Sequence, residues 1–225
     1  MKNAFLFLLS ITLVGATVAA EQPTLSVSER YSYAMGVRLG QLLKDQGIEK
    51  LDSKAFAEAI DDVLNDYPLR LSAVDMRQAI AEQQQVFARQ RAARAEARLQ
   101  AGKDFLAENA GKAGIVALPS GLQYQVLKSG SGEQPGPQDT VRVHYHGTLI
   151  DGKVFDSSVE RGEPVEFPLA GVVPGFSEAL SNMHVGDHWR VFLPSELAYG
   201  QRGAGSDIGP NEALIFEIEL LDIVR

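Results

Sequence analysis

The chain has 225 residues, of which 45% are hydrophobic and 22% are charged, a composition typical of a globular protein with one large domain or two small ones. It contains no cysteine, which excludes disulfide bonds, thiolate nucleophiles, zinc–cysteine sites and iron–sulfur clusters. Its formal net charge of −8 argues against a general attraction to nucleic acid or to an anionic membrane surface.

The first twenty residues have the pattern of a secretory signal peptide. A positive start containing Lys2 precedes an apolar run from Ala4 to Val14, and the small residues Val18-Ala19-Ala20 precede Glu21. The apolar run is too short for a lasting membrane span. We therefore expect residues 1–20 to be a cleaved signal peptide, and an uncleaved anchor is the alternative interpretation.

Residues 21–71 have the pattern of short amphipathic helices. Ser26 and Glu29 form a capping box ahead of residues 31–43, where apolar side chains recur at helical spacing. Asp52 is in position to cap a second helix. The apolar face of that helix carries Phe56, Ile60, Val63 and Leu64. Short helices bury little surface alone, so we predict an all-helical dimerisation domain; packing against the rest of the same chain is the alternative.

Residues 72–111 predict one long connecting helix. The segment has no proline and no glycine before Gly102, and it is rich in Ala, Gln, Glu and Arg, which is typical of a helix that crosses solvent. At about 1.5 Å per residue it extends on the order of 50 Å. Arg91, Arg94 and Arg98 share one face, but acidic residues accompany them and no aromatic residues lie between them. We interpret this face as solvated and expect no nucleic-acid partner.

From Lys112 onward an alternation of apolar and polar residues replaces the helical pattern. The clearest alternating segments are 122–126, 141–146 and 214–220. Turns rich in glycine and proline separate them, and one short helix is expected over 175–182, directly after Pro174. The sequence therefore predicts an α+β fold, in which residues 112–225 form an antiparallel β-sheet wrapped on a short α-helix.

Four segments of this C-terminal part carry a specific, ordered pattern. They are Val143–Ser158 (VHYHGTLIDGKVFDSS), Val172–Phe176 (VVPGF), Pro194–Gly200 (PSELAYG) and Ala213–Leu221 (ALIFEIELL). The pattern resembles the FK506-binding-protein (FKBP) family of peptidyl-prolyl cis-trans isomerases. With the preceding helices and the signal peptide, the chain is similar to the exported Mip/FkpA-like subfamily, whose members are homodimers joined through N-terminal helices.

The resemblance implies a pocket for proline. Asp156, Tyr199 and Phe155 are the implied catalytic residues: Asp156 acts electrostatically near the twisting amide, and the Tyr199 hydroxyl donates to a substrate carbonyl. The implied substrate-binding residues are Tyr145, Arg161, Val165, Val172, Val173, Phe176, Ile208 and Phe216. When each residue is considered singly, core packing is the alternative interpretation for the aromatic residues, and a place in a turn is the alternative for Asp156.

Three positions depart from the residues that are frequent in the family. Phe176, the implied floor, stands where tryptophan is frequent; Val165 stands in a wall position that is commonly phenylalanine; Ala204 stands where many members have histidine. The valine at position 165 predicts a thinner pocket rim. The last two differences bear on macrolide affinity and on the preference for the residue before proline more than on the chemistry.

The implied reaction needs neither a cofactor nor a metal. Rotation about an X–Pro bond faces a barrier of about 18–20 kcal/mol because it breaks amide resonance. An apolar pocket disfavours the polar planar amide more than the twisted transition state, and about 7 kcal/mol of such preference gives about 10⁵-fold acceleration. His144 and His146 share a strand face, but no third ligand is evident, so we expect no metal site.

The resemblance also implies partners and a location. Substrates are proline-containing unfolded or extended polypeptides, and macrolides of the FK506 and rapamycin type are implied ligands. The implied location is the periplasm of a Gram-negative bacterium, with outer-membrane association as a further expectation. We therefore expect an exported, dimeric prolyl isomerase that also holds unfolded chains in a dimeric cleft. A polypeptide-holding chaperone without isomerase activity and a surface adhesin are the rival interpretations. The presence of Asp156, Phe155, Tyr199 and Phe216 favours the enzyme.

Overall fold

The computed structural model describes residues 25–48 and 50–224. The described chain divides into two compact units, with the boundary between Ser72 and Ala73. The signal peptide expected over residues 1–20 lies outside the described residues. In the part of the chain that the structure describes, no helix combines the length and the apolar character needed to cross a membrane.

The N-terminal unit contains two capped helices, α1 (Val27–Asp45) and α2 (Ser53–Leu64). The Ser26 hydroxyl accepts the N–H of Glu29 at 3.2 Å, and the Ser26 N–H donates to the Glu29 carboxylate at 2.7 Å, which is the capping box expected from the sequence. The Asp52 carboxylate accepts two backbone N–H groups of the first turn of α2. No residue of either helix is buried. Their apolar faces are therefore open to a partner.

The second unit begins with α3 (Ala73–Ala110), an uninterrupted helix of 38 residues. The end of this helix is attached to the sheet by a buried polar pair. The Asn109 amide donates to the Gln123 side-chain oxygen at 2.9 Å, and the Gln123 amide donates to the Leu106 carbonyl at 2.8 Å. The last turns of α3 are therefore part of the same packed unit as the sheet, and do not cross solvent.

A seven-stranded antiparallel sheet follows. The strands are β1 (Ile115–Ala117), β2 (Gln123–Lys128), β3 (Thr140–Leu149), β4 (Val154–Ser157), β5 (Val165–Pro168), β6 (His188–Leu193) and β7 (Leu214–Val224). Their order in the sheet is β1-β2-β6-β7-β3-β4, with β5 paired to β3. The longest pairing joins β3 and β7, from Thr140 opposite Val224 to Leu149 opposite Leu214. The alternating segments of the sequence are thus strands, as predicted.

Two short helices complete the domain, α4 (Ser158–Arg161) and α5 (Pro174–Asn182). Pro174 occupies the first turn of α5, where its missing N–H costs nothing. The buried side chains Phe176 and Leu180 of α5 belong to one core with the inward-facing residues of the strands. The predicted α+β fold, an antiparallel sheet wrapped on a short helix, is confirmed.

Candidate active site

A cavity of about 290 Å³ opens where the N-terminus of α5 meets the sheet. It is lined by Tyr145, Phe155, Asp156, Phe167, Gly171, Val172, Val173, Phe176, Tyr199 and Phe216. Strands β3, β4, β5 and β7 each contribute at least one of these side chains. Residues far apart in the sequence therefore meet at one site because the sheet brings their strands side by side.

The walls of the cavity are aromatic rings that contact one another edge to face. The centroid of Phe216 lies 5.1 Å from that of Phe176 and 5.5 Å from that of Phe155, and Tyr145 lies 6.1 Å from Phe176. These separations and the steep interplanar angles of 68° to 84° are those that aromatic quadrupoles favour. The rings therefore form one contiguous apolar lining.

Gly147 makes room for this lining. It lies on β3, opposite Asp156 of β4 and Phe216 of β7. A Cβ at this position would stand 2.6 Å from the Phe155 ring, closer than such atoms approach in proteins, and 3.0 Å from the Phe216 ring, which is tighter than most such contacts. Sequence reasoning did not identify this residue, although a glycine inside an alternating strand is a recognised sign of close approach.

A charged network lies at the rim of the cavity. The Tyr145 hydroxyl donates to the Asp156 carboxylate, Arg161 donates to the same carboxylate, and a second Arg161 nitrogen donates to the Tyr145 oxygen at 3.0 Å. Arg161 ends α4, which Ser157 caps by accepting the N–H of Glu160 at 3.2 Å. Because α4 makes one turn directly after β4, the Arg161 guanidinium lies next to the Asp156 carboxylate.

This network keeps Asp156 ionised and Tyr145 neutral. Burial would raise the pKa of Asp156, but the hydrogen bonds from Tyr145 and Arg161 outweigh it and hold that pKa below its usual range. Burial and the hydrogen bond to Asp156 raise the pKa of Tyr145. At neutral pH the rim of the apolar cavity thus carries an ionised carboxylate that is paired with the Arg161 guanidinium.

The remaining predicted residues take different places. Val172, Val173 and Tyr199 line the cavity, and Tyr199 is the most exposed of them. Arg161 lies behind Asp156 and does not line the cavity. Ile208 is buried in the adjoining core and exchanges backbone hydrogen bonds with Ala204, without lining the cavity.

The wall position that the sequence analysis assigned to Val165 is filled by another residue. Val165 does not line the cavity, whereas Phe167, two residues further along β5 on the same face, does. The Phe167 ring centroid lies 5.7 Å from that of Tyr145 and 6.0 Å from that of Phe176. The thinner rim expected from Val165 is therefore closed by Phe167.

The two histidines considered as metal ligands have other neighbours. His144 Nδ1 lies 3.2 Å from the Ser158 hydroxyl, and His146 Nδ1 lies 3.0 Å from the Ser157 hydroxyl. Within residues 25–48 and 50–224, no three or more His, Asp or Glu side chains are grouped closely enough to hold a metal ion.

The antiparallel sheet wrapped on a short helix, with an aromatic cavity at the helix N-terminus, defines the class of FKBP-type prolyl isomerases. Residues 131–221 match the family model described as FKBP-type peptidyl-prolyl cis-trans isomerase, and residues 28–126 match that of the domain amino terminal to it. The chain therefore belongs to the FKBP-type peptidyl-prolyl cis-trans isomerases, in their Mip/FkpA-like branch, and it is an enzyme of that class.

Similar proteins cover nearly the whole chain. The Outer membrane protein MIP of Legionella longbeachae is 39% identical over 230 residues, covering 100% of this chain and 98% of the relative. The FKBP-type 22 kDa peptidyl-prolyl cis-trans isomerase of Escherichia coli (strain K12) is 44% identical over 199 residues, covering 88% and 97%. The crystal structure of FkpA from Escherichia coli matches with a TM-score of 0.69 at 36% identity, covering 88% and 97%.

Proposed function

We propose that this isomerase acts on X–Pro bonds of exported polypeptides by holding the twisted amide in the aromatic cavity, without a covalent intermediate. The observation that carries the proposal is the apolar cavity with a single ionised carboxylate, Asp156, at its rim. A protease-coupled assay on an Ala-Xaa-Pro-Phe peptide tests it. If the wild-type protein does not accelerate isomerisation in that assay, the proposal is wrong.

In this mechanism the proline ring lies on Phe176, between the rings of Tyr145, Phe155 and Phe216. Removal of water destabilises the polar planar amide more than the twisted one, because the twisted amide has a less polar carbonyl. Each 1.36 kcal/mol of such difference raises the rate about tenfold. Asp156 adds an electrostatic interaction with the reacting amide; the apolar wall strengthens this interaction, and the partial exposure of the carboxylate to water weakens it.

The segment that enters α5 is the proposed backbone partner of the peptide. Val172 and Val173 are extended, with φ of −101° and −60°. The Val173 carbonyl accepts the N–H groups of Phe176 and Ser177 at 3.0 and 3.1 Å, so it is engaged by the helix. We therefore assign the N–H groups of Val172 and Val173 to the carbonyls of an extended substrate.

Tyr199 is the proposed hydrogen-bond donor to a substrate carbonyl. We expect Tyr199→Phe to lower kcat/KM about fivefold, because one hydrogen bond contributes about 1 kcal/mol net. The side chain is 39% exposed, so loss of its hydroxyl should leave the melting temperature unchanged. The control is Tyr124→Phe, since Tyr124 stacks on Trp189 away from the cavity. An unchanged kcat/KM in Tyr199→Phe would contradict the role.

The N-terminal unit is the proposed dimerisation surface. A groove of about 1270 Å³ runs along α1 and α2, and its lining is mainly apolar, including Met35, Leu42 and Ile60. These three side chains are 41% to 53% exposed. Two helices with uncovered apolar faces gain stability by burying them against the same surface of a second copy, since a self-complementary patch closes a symmetric dimer.

A charge placed in this groove should dissociate the dimer. We expect Leu42→Glu to increase the dimer dissociation constant at least about tenfold, because each of the two symmetric copies then buries a charge in apolar surface. Light scattering on the protein without residues 1–20 measures the mass. Gln41→Glu adds the same charge beside the groove, and we expect it to remain dimeric. A monomeric wild-type protein would contradict the proposal.

Dimerisation also supports a role in holding unfolded chains. When one cavity of a dimer binds a proline of an unfolded polypeptide, the second cavity meets another proline of the same chain at a high effective concentration. A single domain lacks this advantage. We place this activity in the periplasm, on the basis of the expected signal peptide at residues 1–20 and the outer-membrane name of the Legionella relative. Macrolides of the FK506 and rapamycin type are the proposed competitors for the same apolar cavity.

A further inference from the structure

Tyr199 immediately precedes a segment whose backbone is unusually rich in glycine. This segment, the rim loop, comprises residues 200–213 and connects Tyr199 to β7. Gly200, Gly203 and Gly205 have φ of +54°, +66° and +56°, in the left-handed region. A glycine-rich backbone loses more conformational entropy on ordering than other sequences. The position of Tyr199 therefore depends on what holds the rim loop from outside.

One anchor of the rim loop is Asn211. Its backbone N–H donates to the Gly200 carbonyl at 2.8 Å, directly beside Tyr199. Its side-chain amide donates to the Ala95 carbonyl of α3 at 3.1 Å. Asn211 has φ of +61°, which asparagine tolerates better than most residues. A single residue thus connects the long helix to the turn that carries Tyr199.

The second anchor is an ion pair between α3 and the end of the rim loop. Arg98 Nε lies 2.7 Å from the Glu212 carboxylate, whose side chain is only 10% exposed. The Arg98 guanidinium also lies directly against Gly209, where a Cβ would stand 2.4 Å from Nη1. A side chain at position 209 would therefore displace the guanidinium from its present position. Two successive turns of α3 therefore contact the loop, through Ala95 and Arg98.

We propose that Arg98 and Asn211 are positioning residues for Tyr199, so that the long helix fixes one side of the proline cavity. Arg98 holds the end of the rim loop against α3, and Asn211 transmits that position to the backbone beside Tyr199. The inference rests on the role proposed above for Tyr199. It assigns a catalytic consequence to one residue of α3 and one residue of the rim loop, neither of which lines the cavity.

The test is a double-mutant comparison in the full-length protein. Arg98→Gln removes the ion pair, and Asn211→Gly removes the amide while keeping a residue that accepts positive φ. We expect each change to lower kcat/KM about three- to fivefold, the scale of losing the Tyr199 hydrogen bond, and to have no further effect in the Tyr199→Phe background. Arg91→Gln, which removes the same charge from an exposed position of α3, is the control and should leave kcat/KM unchanged.

Two further variants separate positioning from folding. Arg98→Lys keeps the charge and should restore at least half of the wild-type kcat/KM. Gly209→Ala displaces the Arg98 side chain without removing any charge, so it should lower kcat/KM by the same three- to fivefold. It takes the place of Arg98→Gln in the test if Arg98→Gln does not fold. The proposal is overturned if Asn211→Gly or Gly209→Ala has the kcat/KM of the wild type. It is also overturned if these changes lower kcat/KM as much in the Tyr199→Phe background as they do in the wild type.

The outcomes also distinguish this inference from the proposed function. A wild-type protein that fails to accelerate isomerisation refutes the proposed function itself. An active wild type with full activity in Asn211→Gly refutes only the positioning role. Full activity in Tyr199→Phe refutes the role of Tyr199 and this inference together, and leaves the isomerase mechanism at Asp156 standing.

Discussion

Replacement of Asp156 by leucine is expected to lower kcat/KM for an Ala-Xaa-Pro-Phe peptide by about tenfold to a hundredfold, with the fold retained. Removing one preorganised electrostatic contact from an enclosed site costs about 10²–10³ in rate. The Asp156 side chain is 43% exposed, so water screens its charge and the loss should lie below that range. Leucine also removes the acceptor of the Tyr145 and Arg161 hydrogen bonds.

Replacement by asparagine separates the charge of Asp156 from its shape. Asp156→Asn keeps an oxygen that accepts from Tyr145 but removes the charge, so we expect an intermediate loss. Asp222→Asn is the control, because Asp222 pairs with Arg142 at 2.9 Å on the surface, away from the cavity. Its kcat/KM should equal that of the wild type. If Asp156→Leu retains the full rate while remaining folded, an electrostatic role for this residue is wrong.

The fold was predictable where local sequence decides the structure. Ser26 and Asp52 cap helices because their side-chain oxygens accept backbone N–H groups a few residues on, and such short-range chemistry is visible in a sequence. The strands were predictable because alternation follows from the pleat. The attachment of the end of the long helix to the sheet was not predictable, because it rests on the contact between Asn109 and Gln123, which depends on tertiary packing.

The site was predictable in part, for a similar reason. Resemblance gave the residues at motif positions, and Tyr145, Phe155 and Phe216 do meet in one cavity. Phe167 was missed because Val165 occupies the position at which the family usually has an aromatic wall residue. Only the course of β5 shows that Phe167 contacts Tyr145 and Phe176 instead. The contacts of Arg98 involve residues more than a hundred positions away, which no local pattern reveals.

Gly147→Ala should affect both stability and activity, because the lining of the cavity depends on the missing side chain. In an extended strand, replacing glycine by alanine stabilises a protein by about 0.4–1 kcal/mol when space is available, through the unfolded state. Here the new Cβ would stand 2.6 Å from the Phe155 ring and 3.0 Å from the Phe216 ring. We expect overpacking to dominate, with a net loss of about 1–3 kcal/mol in the free energy of unfolding.

The displaced Phe155 ring would either enter the cavity or leave its wall, so we expect kcat/KM to fall at least about tenfold, equivalent to about 1.4 kcal/mol of lost transition-state binding. Denaturant unfolding and the peptide assay measure the two effects. Gly111→Ala is the control, since a Cβ there would lie 3.5 Å from its nearest neighbour. Adding Phe155→Leu to Gly147→Ala should restore stability but not activity, because leucine relieves the contact without rebuilding the aromatic wall. Wild-type stability and activity in Gly147→Ala would show that the lining tolerates a side chain on β3.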